Sequence, residues 1–307
     1  MGLAWWEGGG LEVEQLFMRE YSEERSVLAA LAERVAERQV LITFNGKSFD
    51  WPLLETRYRM TRTIPPPTPR AHLDFLHPAR NLWRLRLGSV RLSQLERHVL
   101  GWDRGADLVS ELIPRIYLDF VRYGYAEPLV SVFQHNQMDL RGLAGLSGRI
   151  LSLLGEEGTS QDGLELYGVS RICERRGEIQ RARKLYEQSI ASALPIETDR
   201  AARLALARLA KRDGDFGLAR ELWESTLGNS REGYESYEQL AIYFEHEVRE
   251  PRRALVIVRE ALAQLRRANQ VGMITALAYR RTKTQFEHRL ARLERKAGPM
   301  LLDTFDA

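Results

Sequence analysis

Along the first half of the chain, apolar positions alternate with polar ones and then recur every three to four residues, so strands precede and interleave with helices. Gly2 to Trp6 and Leu11 to Met18 read as short strands joined through Glu7-Gly-Gly-Gly10, a hairpin turn. Val27, Leu28, Leu31 and Val35 share one helical face, with Ser22 as the expected cap and an end near Arg38. Val40 to Phe44 is a buried strand. After a polar turn, Ser48 is placed to cap a helix that begins at Phe49 and stops by Thr63, ahead of Ile64-Pro-Pro-Pro-Thr-Pro69. Another strand is expected over Ala71 to Leu76, then helices near Pro78 to Leu85, Leu92 to Leu100, Leu108 to Arg122 and Leu129 to Leu154. The pattern over 1–154 is α/β.

Residues 155–163 are polar, glycine-rich and aperiodic, as a linker would be. Beyond them the chain is helical and repetitive. Arg176-Gly-Glu-Ile-Gln-Arg-Ala-Arg-Lys-Leu185-Tyr-Glu aligns with Asp213-Gly-Asp-Phe-Gly-Leu-Ala-Arg-Glu-Leu222-Trp-Glu, and Glu250 to Val258 makes a third copy. Ala182, Ala219 and Ala254 then share one position, where small side chains let helices approach; Tyr186, Trp223 and Val258 share the next and fill the gap. These units resemble tetratricopeptide repeats. Three of them and a final helix over Tyr279 to Ala297 span 164–298, with 299–307 as a tail; core packing is the role expected of the shared positions.

Composition narrows the class. A chain of 307 residues with 44% hydrophobic and 28% charged residues is an ordinary globular mixture. Its apolar runs fall short of the roughly 20 residues that cross a bilayer, and Met1-Gly-Leu-Ala-Trp-Trp is unlike a secretion signal, so a cytoplasmic protein with no membrane partner is expected. Cys173 is the sole cysteine, which excludes an internal disulfide and a thiolate zinc cluster. Net charge is only +3, yet between Glu55 and Arg104 ten arginines face four acids, interleaved with Tyr58, Trp83 and Trp102. Such a segment suits a nucleic-acid backbone, with Arg84, Arg86 and Arg91 on phosphates and Trp83 beneath a base; a solvated arginine face is the alternative.

Candidate chemistry lies at the element ends. Asp50 follows a buried strand at its carboxyl end, where ligands gather in α/β sheets, and is a candidate metal ligand. His135 and Asp139 are four residues apart on one helical face, so the carboxylate can orient an imidazole suited to act as a base. Gly46-Lys47-Ser48 is not a phosphate-binding loop, because the glycine required five residues earlier is replaced by Leu41.

Together, Thr43-Phe-Asn45-Gly-Lys-Ser-Phe-Asp50-Trp-Pro-Leu-Leu54, His72-Leu-Asp74-Phe-Leu-His77-Pro78-Ala-Arg80, Leu87-Gly-Ser-Val-Arg91-Leu-Ser-Gln-Leu95-Glu and His135-Asn136…Asp139-Leu140 resemble the YprB-like ribonuclease H-like family, which is similar to four-carboxylate 3′-to-5′ exonucleases. The resemblance covers Gly2 to Leu154. It implies a mixed sheet flanked by helices, DNA or RNA as substrate and a two-ion Mg²⁺ or Mn²⁺ site. By it, Asp50 and Asp139 are metal ligands, Asn45 buttresses Asp50, Phe49 packs beneath, and His135 positions the attacking water. The histidine stands at the spacing that tyrosine has in one branch of these enzymes. No Asp-x-Glu motif precedes Gly2, and the early acids are Glu7, Glu12 and Glu14. The expectations are therefore a central strand missing between the hairpin and Val40 to Phe44, an incomplete metal site and an inactive polypeptide, with a relic nuclease fold on a repeat-docked scaffold as the alternative.

Overall fold

The computed structural model describes residues 1–105, 108–155, 158, 160–228 and 231–297. The expected tail and part of the expected linker lie outside them. Two compact units divide between Ser160 and Gln161.

In the first unit, β1 (Gly2–Glu7) and β2 (Gly10–Gln15) pair antiparallel with Glu7 opposite Gly10. The two-residue turn needs positive φ at both positions, and Gly8 and Gly9 supply 58° and 86°. Helix α1 (Glu24–Ala36) is entered through a 3₁₀ turn, Tyr21–Glu23. Ser22 does not cap it: its hydroxyl donates to Glu20 instead. Leu28, Leu31 and Val35 of α1 form a core with Tyr58 of α2 (Asp50–Thr61), and the Tyr58 hydroxyl donates to the Leu28 carbonyl at 2.7 Å.

Strand β3 (Val40–Thr43) runs parallel to β4 (Ala71–Asp74), with Thr43 opposite Asp74. Among the described residues the sheet is thus two separate two-stranded pieces, β1–β2 and β3–β4, smaller than the mixed sheet anticipated. Helix α3 (Leu76–Leu87) turns Leu76, Ala79, Leu82 and Trp83 inward. The short α4 (Leu92–Leu95) continues as a π-helical turn, Glu96–Leu100. Helix α5 (Ile113–Tyr123) leads to the long α6 (Leu129–Leu154), which packs on β1: a β-carbon added at Gly2 would lie 2.2 Å from Asn136 Oδ1.

The second unit comprises α7 (Gly163–Arg176), α8 (Ile179–Ala191), α9 (Ile196–Arg212), α10 (Phe216–Ser225), α11 (Arg231–Ile242), α12 (Pro251–Gln270) and α13 (Ala276–Ala297). Each helix packs on the next, and α11 also meets α9, as stacked helical pairs require. Ala182, Ala219 and Ala254 are fully buried, with Tyr186, Trp223 and Val258 almost equally so. The turn between paired helices uses Gly177 and Gly214 at φ near 80° in the first two repeats. In the third, Arg249 takes the equivalent place at φ 60°, a conformation that favours glycine. This substitution is one source of the degenerate repeat signature.

Candidate active site

The chain leaves β3 through a turn that Asp74 organises. Its buried carboxylate accepts backbone hydrogen bonds from Asn45 (2.8 Å), Lys47 (3.1 Å) and Leu76 (3.1 Å), tying the turn to the end of β4. Asn45 sits at φ 66°, in the left-handed region that Asn tolerates. Gly46 is required by closeness, because a β-carbon there would fall 2.5 Å from that of Thr43. Phe49 N–H donates to the Asn45 carbonyl and Trp51 N–H to that of Gly46, which starts α2 at Asp50.

Two expectations fail in this turn. Phe49, not Ser48, is the residue before the helix, and no side chain caps it. Phe49 is also 62% exposed, so it does not pack beneath the site. Trp51 packs on the α1 core instead and meets His72 edge-on at 5.4 Å. Asp50 reaches solvent, but protein crowds one side of it. That partial desolvation raises its carboxyl above the ordinary carboxylate range, a nearby backbone N–H opposes the shift, and the charge of Asp74 adds to it.

On α6, His135 Nε2 lies 3.4 Å from Asp139 Oδ2 and 3.5 Å from Ser110 Oγ. Gln15 of β2 anchors this face by donating to the Phe133 carbonyl and to Asn136 Oδ1, both at 2.9 Å. The other Asp139 oxygen accepts from Arg104 at 2.7 Å. The Arg104 side chain is only 9% exposed and also grips Glu96, the most enclosed carboxylate among the described residues of this unit. Burial alone would lower the guanidinium's affinity for its proton, but Glu96 and Asp139 outweigh it and hold Arg104 above its ordinary value. Glu96 fits only because residue 142 has no side chain: a β-carbon there would lie 1.5 Å from Glu96 Oε1.

Asp50, Arg91, Arg104, His135 and Asp139 all line one cleft of about 990 Å³, whose apolar walls come from β1 and β3. Distant stretches of sequence are thereby brought together. The aromatic candidates are not: Trp83 and Tyr58 are fully buried and offer no ring to a base, since each belongs to the apolar stripe of its helix. Arg84 is exposed on α3 and Arg86 is half-buried, and neither lines the cleft. Among the described residues, no three His, Cys, Asp or Glu side chains converge to hold a metal ion. The residues present therefore do not by themselves make the expected Mg²⁺ or Mn²⁺ site. Sequence alone counts Arg104 only among the arginines suited to a nucleic-acid backbone and gives Glu96 no role; Gly142, three residues after Asp139, is the local trace of their pairing.

Residues 1–151 match the sequence profile of the RNase H superfamily. This half of the chain is an RNase H-like domain. The chain is also 33% identical over 264 residues to the uncharacterized protein YprB of Bacillus subtilis (strain 168), across 83% of its own length and 60% of that protein's. It thus spans 60% of the length of this curated relative. A Podospora anserina kinesin light chain with nearly identical TPR-like repeats overlays 58% of the chain and 87% of its own, at 20% identity and a TM-score of 0.36. The repeat architecture rests on the helix register, not on that overlay. No helix among the described residues is long and apolar enough to cross a membrane.

Proposed function

We propose that the RNase H-like domain binds DNA or RNA along the Asp50–Asp139 cleft, and that this cleft is part of a 3′-to-5′ exonuclease site. The observation that carries the reading is the convergence of Asp50, His135 and Asp139 from α2 and α6 on one cleft. Arg91, exposed at its rim, is placed to meet a phosphate. Asp139 orients His135, and Arg104 fixes Asp139 from behind. Divalent cations are the usual companions of such carboxylates, but two carboxylates, one of them held by Arg104, are too few to bind a pair. An extended segment bearing Asp-x-Glu between β1 and β3, each paired along one edge only among the described residues, would supply the others.

A non-catalytic binding or scaffold protein is the second reading, favoured by the Arg104–Asp139 ion pair, which occupies a carboxylate oxygen a cation would need. Its protein partner would dock on the repeats, where Tyr167, Arg171, Tyr186 and Arg208 line a groove of about 620 Å³. Incubation of the polypeptide with labelled oligonucleotides in Mg²⁺ or Mn²⁺ separates the two. Binding without cleavage is expected from residues 1–307, with cleavage gained on adding an upstream Asp-x-Glu strand. If that addition changes neither stability nor cleavage, the scaffold reading holds; robust cleavage without it would show the site to be complete. Absence of any binding would remove nucleic acid as the ligand.

A further inference from the structure

The modest net charge hides a concentration of cations at one end of the repeat unit. Between Pro251 and Ala297, twelve Arg and Lys residues face only Glu260, Glu287 and Glu294, so the rest of the chain is net acidic. Some of these cations serve the fold. Arg289, Arg292 and Lys296 turn from α13 toward Glu238 and the buried Glu245. Arg253 pairs with Glu250, Lys283 with Glu287, and Arg259 of α12 with Glu294 of α13 at 3.1 Å.

Six arginines are left with no acidic partner among the described residues: Arg252, Arg266, Arg267, Arg280, Arg281 and Arg295. All are exposed. The side chains of Arg280 and Arg295 bond only to carbonyls of their own helix. Their placement is regular. Arg252, Arg259 and Arg266 recur every seven residues, so they form a line along α12 with steps of about 10.5 Å. That line lies opposite the buried Ala254, Val258, Ala261 and Leu265. On α13, Arg280, Arg281, Thr284, Gln285 and His288 line an open groove of about 870 Å³, opposite the buried Phe286 and Leu293; the one acid lining it among the described residues, Glu238 of α11, is paired with Arg289. The Arg259–Glu294 pair joins the two helices' charged faces.

Packing does not call for these six charges, since the faces that hold α12 and α13 in place are apolar, and like charges left unpaired on a surface repel one another. Guanidinium forks match phosphate geometry, and neutral donors such as Thr284 and Gln285 commonly assist backbone contacts. We propose that the outward faces of α12 and α13 bind the sugar-phosphate backbone of nucleic acid without reading its sequence. This second surface is separate from the cleft and does not rest on the cleft's chemistry.

The test uses the full chain in EDTA, so that cleavage plays no part, with fluorescence anisotropy of a labelled oligo-dT strand across a salt series. Two triple variants are compared with wild type: Arg280→Gln/Arg281→Gln/Arg295→Gln and Arg252→Gln/Arg266→Gln/Arg267→Gln, each checked for intact helicity. Each triple should weaken binding about tenfold near 0.1 M salt and lower the slope of log affinity against log salt by about 2, as loss of three single-strand phosphate contacts requires. Unchanged affinity and slope in both triples would overturn the inference. If Arg91→Gln alone then weakened binding, the cleft reading would stand without it. Binding of wild type to phosphatidylglycerol vesicles and not to the oligonucleotide would likewise overturn it, reassigning the face to an anionic membrane surface.

Discussion

Each half of the molecule buries a glutamate in a π-helical turn, Glu96 in Glu96–Leu100 and Glu245 in Tyr243–Glu247, and the two are neutralised differently. Glu245 is surrounded by Arg289, Arg292 and Lys296, all from α13. Its charge is satisfied within the repeat packing. Glu96 is held by Arg104 through Nε and Nη2, and the same Nη2 also donates to Asp139, which remains 39% exposed in the cleft. A buried charge closed on itself holds helices together; one that passes its partner on to a half-exposed carboxylate also positions that carboxylate. The extra residue of a π turn is frequently found where such positioning is needed.

The largest break in this comparison comes from removing Arg104. Arg104→Ala takes away the guanidinium that the buried Glu96 and Asp139 share, so the first unit should lose about 3–5 kcal/mol in urea denaturation. Trp223→Ala, which opens a cavity between repeats, should cost about 3–5 kcal/mol as well, but in the second unit. Equal loss of protection in both units for either variant, measured by hydrogen exchange, would show that they do not unfold separately.

Glu245 provides a smaller and pH-dependent effect. Burial opposes its charge, but Lys296, Arg292 and His246 together hold its carboxyl below the ordinary value of 4.5. A depressed carboxyl contributes stability above about pH 4.5 that is lost as pH falls through its lower folded value. Glu245→Gln should therefore cost about 1 kcal/mol at neutral pH and flatten the acid limb of a Tm profile. An unaltered acid limb would show that the three cations gain nothing from the charge.

The smallest effect is expected at Asp50, and its sign is opposite. Its folded carboxyl is raised above the ordinary 3.8, so its contribution is favourable below that value and is lost as pH rises through the raised one. Asp50→Asn should raise stability by a few tenths of a kcal/mol at neutral pH, discounted for solvent access, with no change at low pH. A loss of stability at neutral pH would make Asp50 a structural group.

What could be read in the sequence was what repeats locally. The hairpin, the helix over Leu129–Leu154 and the Ala182, Ala219 and Ala254 positions each leave a period or a turn signal. Three features leave none. The outward placing of Phe49 is set by the backbone of the turn that precedes α2 and not by any period of apolar residues. The division of the sheet into β1–β2 and β3–β4 depends on pairing across the chain. The Glu96–Arg104–Asp139 chain joins three segments through charge, which has no period. Trp83 is different: the spacing of Leu76, Ala79, Leu82 and Trp83 already marked a buried stripe, and the surrounding arginines obscured it.

Gly142 gives that chain of charges an inherited dimension. Because the glutamate carboxylate occupies the space of a side chain at 142, even alanine there obliges Glu96 to shift, and with it the anchor of Arg104. Positions 96 and 142 are thus coupled in volume. A descendant that enlarges the glycine relieves the clash by also shortening the acid, and Asp139 would then be left to hold Arg104 without its shared partner. Such paired replacements, found among sequences that share the cleft, would mark the lineages in which this restraint on the site was let go.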